Sequence, residues 1–175
     1  IDSHFGDADH GLTMVKIGNA IKSAIEDADG GIQEMLDDVA MAVMVLNGGS
    51  AVPLWNTWLD GLQEEAPEGT EVDTDQLKAM FANALSELAD ISGAEIGDKT
   101  MMDAVIPASE AVAAYSGDEA GLFEVAATAA KQGAENSKNF VSKFGRAKSY
   151  GEKTIGTPDA GAVSMACFFK GLAQA

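Results

Sequence analysis

The chain has 175 residues, with 28 acidic side chains against 11 basic ones and a formal net charge of −17 with both histidines neutral, a length that fits one domain with a buried core. That charge excludes direct binding of nucleic acid or an anionic membrane, which such a surface repels, and an anionic ligand would need a divalent cation between it and the protein. The single cysteine, Cys167, excludes an intrachain disulfide and a Cys-rich metal cluster; with no signal peptide ahead of the first motif and no apolar run near the ~20 residues of a membrane span, a cytoplasmic protein is expected.

The apolar residues recur at helical spacing almost throughout. Met14, Ile17, Ile21, Ala24 and Ile25 predict a first helix, and Met35, Leu36, Val39, Val43 and Leu46 a second. Trp55, Trp58, Leu59 and Leu62 mark a third, which Pro53 can start. Leu77, Phe81, Leu85 and Leu88 mark a fourth, capped by Asp73 or Thr74. Met101, Met102, Val105 and Ile106 begin a fifth, where Pro107 introduces a kink. The Ala-rich stretch Glu119–Asn139 is a sixth, and Ala162–Ala175 a seventh. Strict apolar/polar alternation is rare and β-branched residues are scattered. The expected class is all-α, an antiparallel bundle or barrel. Cys167, within Met165-Ala166-Cys167-Phe168-Phe169, reads as an inert core residue.

Four connections are rich in Gly and polar residues: Phe5–Gly11, Asn47–Ala51, Ser92–Lys99 and Gly145–Gly161. Ordinary helix hairpins need shorter turns, so loops of this kind could gather at one end of a bundle as a site. The first contains Asp2-Ser3-His4-Phe5-Gly6-Asp7-Ala8-Asp9-His10-Gly11, three carboxylates within eight positions. Asp7 and Asp9 serve either as turn and cap residues or as hard oxygen ligands for Mg²⁺ or Ca²⁺. Their mutual repulsion favours a bound cation. His10 opens the helix and can cap it or touch a phosphate or purine. The amides of Asn47-Gly48-Gly49-Ser50-Ala51 and the Ser50 hydroxyl can bind phosphate at a helix N-terminus, although Gly-Gly is also an ordinary helix stop. Gly97-Asp98-Lys99-Thr100-Met101 lacks the upstream glycine of a P-loop, and Asp98 is expected to cap the fifth helix. Arg146, the sole arginine, pairs with a carboxylate or contacts a phosphate. Asp159 is a cap by default.

Taken together, Gly6-Asp7-Ala8-Asp9-His10-Gly11, Gly48-Gly49, Gly97-Asp98-Lys99-Thr100-Met101-Met102-Asp103, Gly145-Arg146-Ala147 and Gly151-Glu152-Lys153-Thr154-Ile155-Gly156 follow the order and spacing of the nucleotide-binding subunit L of dihydroxyacetone kinases, which the chain resembles over nearly all its length. The resemblance implies an eight-helix antiparallel barrel, with ADP or ATP in the loops at one end and two Mg²⁺ held by Asp2, Asp7 and Asp9. It places His10, Leu12 and Thr13 along the nucleotide and Ser50 and Ala51 at its phosphates. Gly93 and Met101 border the adenine, and Arg146, Asp159 and Gly161 close the site. No protein nucleophile is implied. Phosphate passes from ATP to dihydroxyacetone on a separate subunit K, and a subunit M recharges the nucleotide in the phosphotransferase-system branch, which a chain without a K domain favours.

The pattern departs from the family at three places. The family has a helix before the aspartate loop, whereas only Ile1 precedes Asp2, so residues 1–175 are expected to form a single domain lacking that helix. Gly48-Gly49-Ser50-Ala51-Val52-Pro53-Leu54 shifts the family's hydroxyl by one position. Lys153 and Ala160 stand where the family has Arg and Pro. The competing readings are the nucleotide-binding domain of another small-ketose, polyol or fatty acid kinase, and a non-catalytic nucleotide sensor docking on a transcription regulator.

Overall fold

The computed structural model describes residues 5–6 and 8–175. Among the described residues the regular structure is entirely helical. There are seven α-helices: α1 (His10–Asp27), α2 (Ile32–Met44), α3 (Ala51–Glu64), α4 (Thr74–Ser92), α5 (Met102–Ala114), α6 (Glu119–Asn136) and α7 (Ala160–Leu172). Two 3₁₀ segments, Ser137–Asn139 and Arg146–Thr154, lie between α6 and α7. The all-α expectation holds. No helix among the described residues is long and apolar enough to cross a membrane.

The chain divides into two compact units. One is His10–Gly93, carrying α1 to α4; the other is Ala94–Ala175, carrying α5 to α7, with the described residues ahead of α1. In the first unit α2 packs on α3, α3 on α4, and α1 on α2 and α3. Its core is built from large side chains: the predicted Trp55, Trp58, Leu59 and Leu62 of α3 and Leu77, Phe81 and Leu88 of α4 are buried, whereas Leu85 is only partly buried and Met80 joins the core instead. The Trp58 and Phe81 rings meet with centroids 5.9 Å apart. On α1, Ile17 is buried as expected, but Ile25 is 48% exposed and Thr13 takes a buried place instead. Asp73 caps α4 as predicted: its carboxylate accepts from the Gln76 amide at 2.8 Å, and the Gln76 side chain accepts from the Asp73 amide at 2.9 Å. That reciprocal pair satisfies two amides the helix start would otherwise leave unbonded. Pro53 sits inside the first turn of α3 rather than opening it.

In the second unit α5, α6 and α7 pack on one another, and most of the contact surface is small. Ala104, Ala108, Ala126, Ala130, Ala134 and Ala162 are buried beside Met102, Val105, Val112, Leu122, Met165 and Phe169. Helix α5 starts at Met102, with Met101 as its N-cap, and runs through Pro107 to Ala114. Pro107 has no N–H to give to the carbonyl four residues back, that of Asp103. The same carbonyl is where α6 comes closest: a Cβ built on Gly133 would lie 1.9 Å from the Asp103 oxygen. A helix-weakening residue on α5 and a side-chain-free one on α6 therefore fall at one crossing. Helix α6 ends at Asn136, and residues 137–139 tighten into a 3₁₀ turn instead of continuing it. Cys167 is exposed on α7, which corrects its reading as a core residue: the buried stripe of α7 passes through Ala162, Met165 and Phe169.

Candidate functional site

Of the three aspartates expected to hold metal, Asp2 and Asp7 lie outside the described residues. Asp9 immediately precedes α1 and is exposed. Among the described residues no group of three or more His, Cys, Asp or Glu is placed to hold a metal ion.

In the unit His10–Gly93, His10 is the partly buried first residue of α1 and Leu12 stands 68% exposed. Thr13 is brought against the Asn47–Ala51 loop. A Cβ on Gly48 would come within 2.9 Å of the Thr13 methyl and 2.6 Å of a Val52 methyl, so only glycine lets the loop lie this close to α1. Lys16 donates to the Asn47 carbonyl at 3.2 Å on the same side. Ser50 is the N-cap of α3, but its hydroxyl makes no capping bond; with Ala51 it opens the helix at its electropositive end. Gly93 terminates α4 in the left-handed region (φ 59°), its amide donating to the Ala89 carbonyl at 2.9 Å. That conformation favours glycine.

In the second unit, Met101, Asp159 and Gly161 come together. Asp159 caps α7, its carboxylate accepting from the Ala162 amide at 2.8 Å. Gly161, two residues on, leaves room for Met101: a Cβ there would sit 3.2 Å from the Met101 Cβ. Burial pushes the Asp159 carboxyl up to about 6; the Asp103 charge adds to this, and hydrogen bonds from the Ala162 and Gly161 amides and the Lys99 charge oppose it. Arg146 opens the surface 3₁₀ segment that follows Gly145, and its carbonyl accepts from the Ser149 hydroxyl at 2.8 Å.

Three residues at this cluster were not singled out from the sequence: Lys99, Asp103 and Ser137. Lys99 is 5% exposed, and its ammonium donates to the carbonyls of Ser137 at 2.7 Å and Thr157 at 2.5 Å. Burial lowers its pKa against the pull of Asp159 and Asp103. The Asp103 carboxylate accepts from the Gly97 amide at 2.6 Å and the Thr100 amide at 2.8 Å, closing the turn before α5. The cap expected of Asp98 is not made: Met101 is the N-cap of α5 without a side-chain capping bond, and the Met102 amide donates to the Thr100 hydroxyl at 3.2 Å. Burial raises the Asp103 pKa despite those bonds. Asp98 instead accepts from the Glu95 amide at 2.8 Å and pairs with Lys143 at 2.6 Å, and the Lys143 bond holds its carboxyl below the usual range. The signal available in sequence was the Lys between two acidic residues in Asp98-Lys99-Thr100-Met101-Met102-Asp103, without any indication that it was buried.

These features define an all-α protein whose glycine-bearing loops are tied to helix starts within each unit. Residues 4–174 match the model of the DAK2 domain. The chain is 30% identical over 169 residues to the ADP-binding subunit DhaL of a PEP-dependent dihydroxyacetone kinase of Listeria innocua, covering 94% of this chain and 78% of that subunit. It is 28% identical over 179 residues to the corresponding Escherichia coli subunit, covering 100% of this chain and 85% of that one. It is 33% identical over 172 residues to a D-erythrulose kinase of Mycolicibacterium smegmatis, of which it spans only 30% while 95% of this chain is covered. The crystal structure of the dihydroxyacetone kinase of C. freundii with AMP-PNP and Mg²⁺ superposes with a TM-score of 0.72 at 25% identity, over 99% of this chain and 29% of that one. The chain belongs to the DAK2 domain family.

Proposed function

We propose that residues 1–175 form one nucleotide-binding domain, the ADP- or ATP-carrying part of a dihydroxyacetone-type kinase acting in the cytoplasm. The observation that carries this reading is the match to two subunits named as ADP-binding along 78% and 85% of their lengths. In this reading Asp2, Asp7 and Asp9 hold two Mg²⁺, which neutralise the phosphates that a chain of net charge −17 would otherwise repel. Ser50 and Ala51 meet the phosphates, a role consistent with a hydroxyl free of capping duty at a helix start. His10, Leu12 and Thr13 lie along the nucleotide. Gly93 and Met101 border its base, and Arg146, Asp159 and Gly161 close the site. Phosphoryl transfer needs positioning and charge neutralisation more than a protein nucleophile. The acceptor, dihydroxyacetone, is carried by a separate subunit K, and a subunit M restores the spent nucleotide.

Titration calorimetry of the chain with ADP and Mg²⁺, beside an Asp7→Asn/Asp9→Asn double variant, tests this. Binding that needs both Mg²⁺ and the aspartates is the expected result. A folded chain that binds no ADP overturns the reading. A second acceptor is favoured by one observation, the 33% identity to a D-erythrulose kinase. Parallel turnover assays with dihydroxyacetone and erythrulose, in the presence of the acceptor-binding subunit, separate the two.

A further inference from the structure

Lys99 is a buried cation that the proposed nucleotide chemistry does not use. It stands in the left-handed backbone region (φ 60°), which side chains other than glycine rarely adopt. Its ammonium reaches two carbonyls from different parts of the chain, Ser137 after α6 and Thr157 ahead of α7. Ser137 is itself buried; its hydroxyl donates to the Ala134 carbonyl at 2.6 Å and accepts from the Asp159 amide at 2.9 Å. The Gly156 amide donates to the Lys138 carbonyl at 2.7 Å beside it. Three segments therefore meet at one ammonium: the turn that ends at Met101, the turn after α6, and the loop that delivers Asp159 and Gly161.

Burying an ammonium costs stability, and an apolar side chain of the same length would avoid that cost. What the ammonium adds is direction, because it holds two specified carbonyls at hydrogen-bond distance and an apolar chain does not. We propose that Lys99 is a positioning residue that sets Met101, at the base of a bound nucleoside diphosphate, in register against Gly161, by bracing the 154–159 loop and the turn after α6 against the turn before α5. The inference rests on the nucleotide-binding reading above. It assigns Lys99 no contact with the ligand.

The test is titration calorimetry of the full chain with two probes, ADP with Mg²⁺ and pyrophosphate with Mg²⁺, on the parent, Lys99→Met and Lys99→Arg. A loose base wall weakens ADP in Lys99→Met by roughly 10- to 100-fold, while pyrophosphate, which lacks a base, keeps its affinity to within about twofold. Lys99→Arg, which retains charge and donors, recovers part of the loss. Unchanged ADP affinity in Lys99→Met, or equal loss of both probes, overturns the inference. If Lys99→Met does not fold, Ser137→Ala is read instead. It removes the bond to the Asp159 amide and is expected to weaken ADP selectively; unchanged ADP affinity there overturns the inference as well. A parent chain that binds neither probe overturns the nucleotide reading itself, whereas a parent that binds ADP beside an unaffected variant overturns only the role of Lys99.

Discussion

Eight buried polar or charged residues occur among the described ones; Thr13 alone belongs to His10–Gly93, and Asp98, Lys99, Asp103, Ser109, Ser137, Ser142 and Thr154 all belong to the other unit. Both tryptophans are buried in the first unit. One unit is thus held by the transfer of large apolar side chains from water. The other is held by close helix approach through Ala and Gly, with a polar network that orders its loops. The first kind of stability is spread over many contacts, roughly in proportion to buried area. The second is directional, and it fails locally when one donor or one small residue is changed.

The largest effect that would sharpen this contrast is expected from Trp58→Ala, which empties the aromatic centre of the first unit. It should cost about 3–5 kcal/mol in urea unfolding. A loss under about 1 kcal/mol would show that the core collapses around the gap and that this unit does not depend on its large aromatic side chains.

The next effect is in pH dependence and concerns the polar unit. Burial raises the Asp159 carboxyl to about 6 in the folded state, from an ordinary value of 3.8. The folded state therefore holds this proton more tightly than the unfolded chain does. The stabilisation is full below about pH 4 and is lost as pH rises through about 6, by at most about 3 kcal/mol. Asp159→Asn keeps an oxygen for the Ala162 amide and carries no charge, so urea melts from pH 4 to 7.5 should lose this component. Identical pH profiles for parent and variant would remove Asp159 as its source. Asp98 has the opposite sign: its pKa is lowered by the Lys143 bond, so its contribution is present above the usual carboxylate range and disappears in acid.

Gly133→Ala probes the helix crossing. The added methyl would lie 1.9 Å from the Asp103 carbonyl oxygen, so α5 and α6 must separate, at about 2 kcal/mol. Gly61→Ala is the counterpart in the first unit, where a Cβ would lie 2.7 Å from the Ala84 Cα. Similar thermal shifts in the two would mean that close approach matters equally in both units. The smallest effect is expected from Asp73→Ala, which removes one side of the capping box on α4 for about 1 kcal/mol. A shift in thermal midpoint with no change in the nucleotide titration is the expected pair of results.

Much of this was legible in the residues. The Trp55–Leu62 and Leu77–Leu88 stripes predict α3 and α4 because a one-sided apolar face repeats with the helical period. Asp73 and Asp159 are legible as caps because a short carboxylate just before a helix has its amide partners a few residues away. The glycine-rich connections mark candidate site loops because a loop lying close to another element needs a residue without a side chain, as Gly48 and Gly161 do. The metal assignment to Asp2, Asp7 and Asp9 came from motif resemblance, and only Asp9 of the three is among the described residues.

By itself, then, the sequence determined the helical class, the bounds of α6 and α7 to within about three residues, the caps built from neighbours, and membership of a family carried by several ordered motifs. Only the tertiary structure decided that Cys167 faces outward, that Asp103 rather than Asp98 closes the turn before α5, and that Lys99 is buried between the carbonyls of Ser137 and Thr157. The physical reason is range. Periodicity and capping act over one or two helical turns and are written in adjacent residues. The partners of a buried charge lie 38 and 58 positions away in the chain, and no local pattern states which carbonyls will meet it.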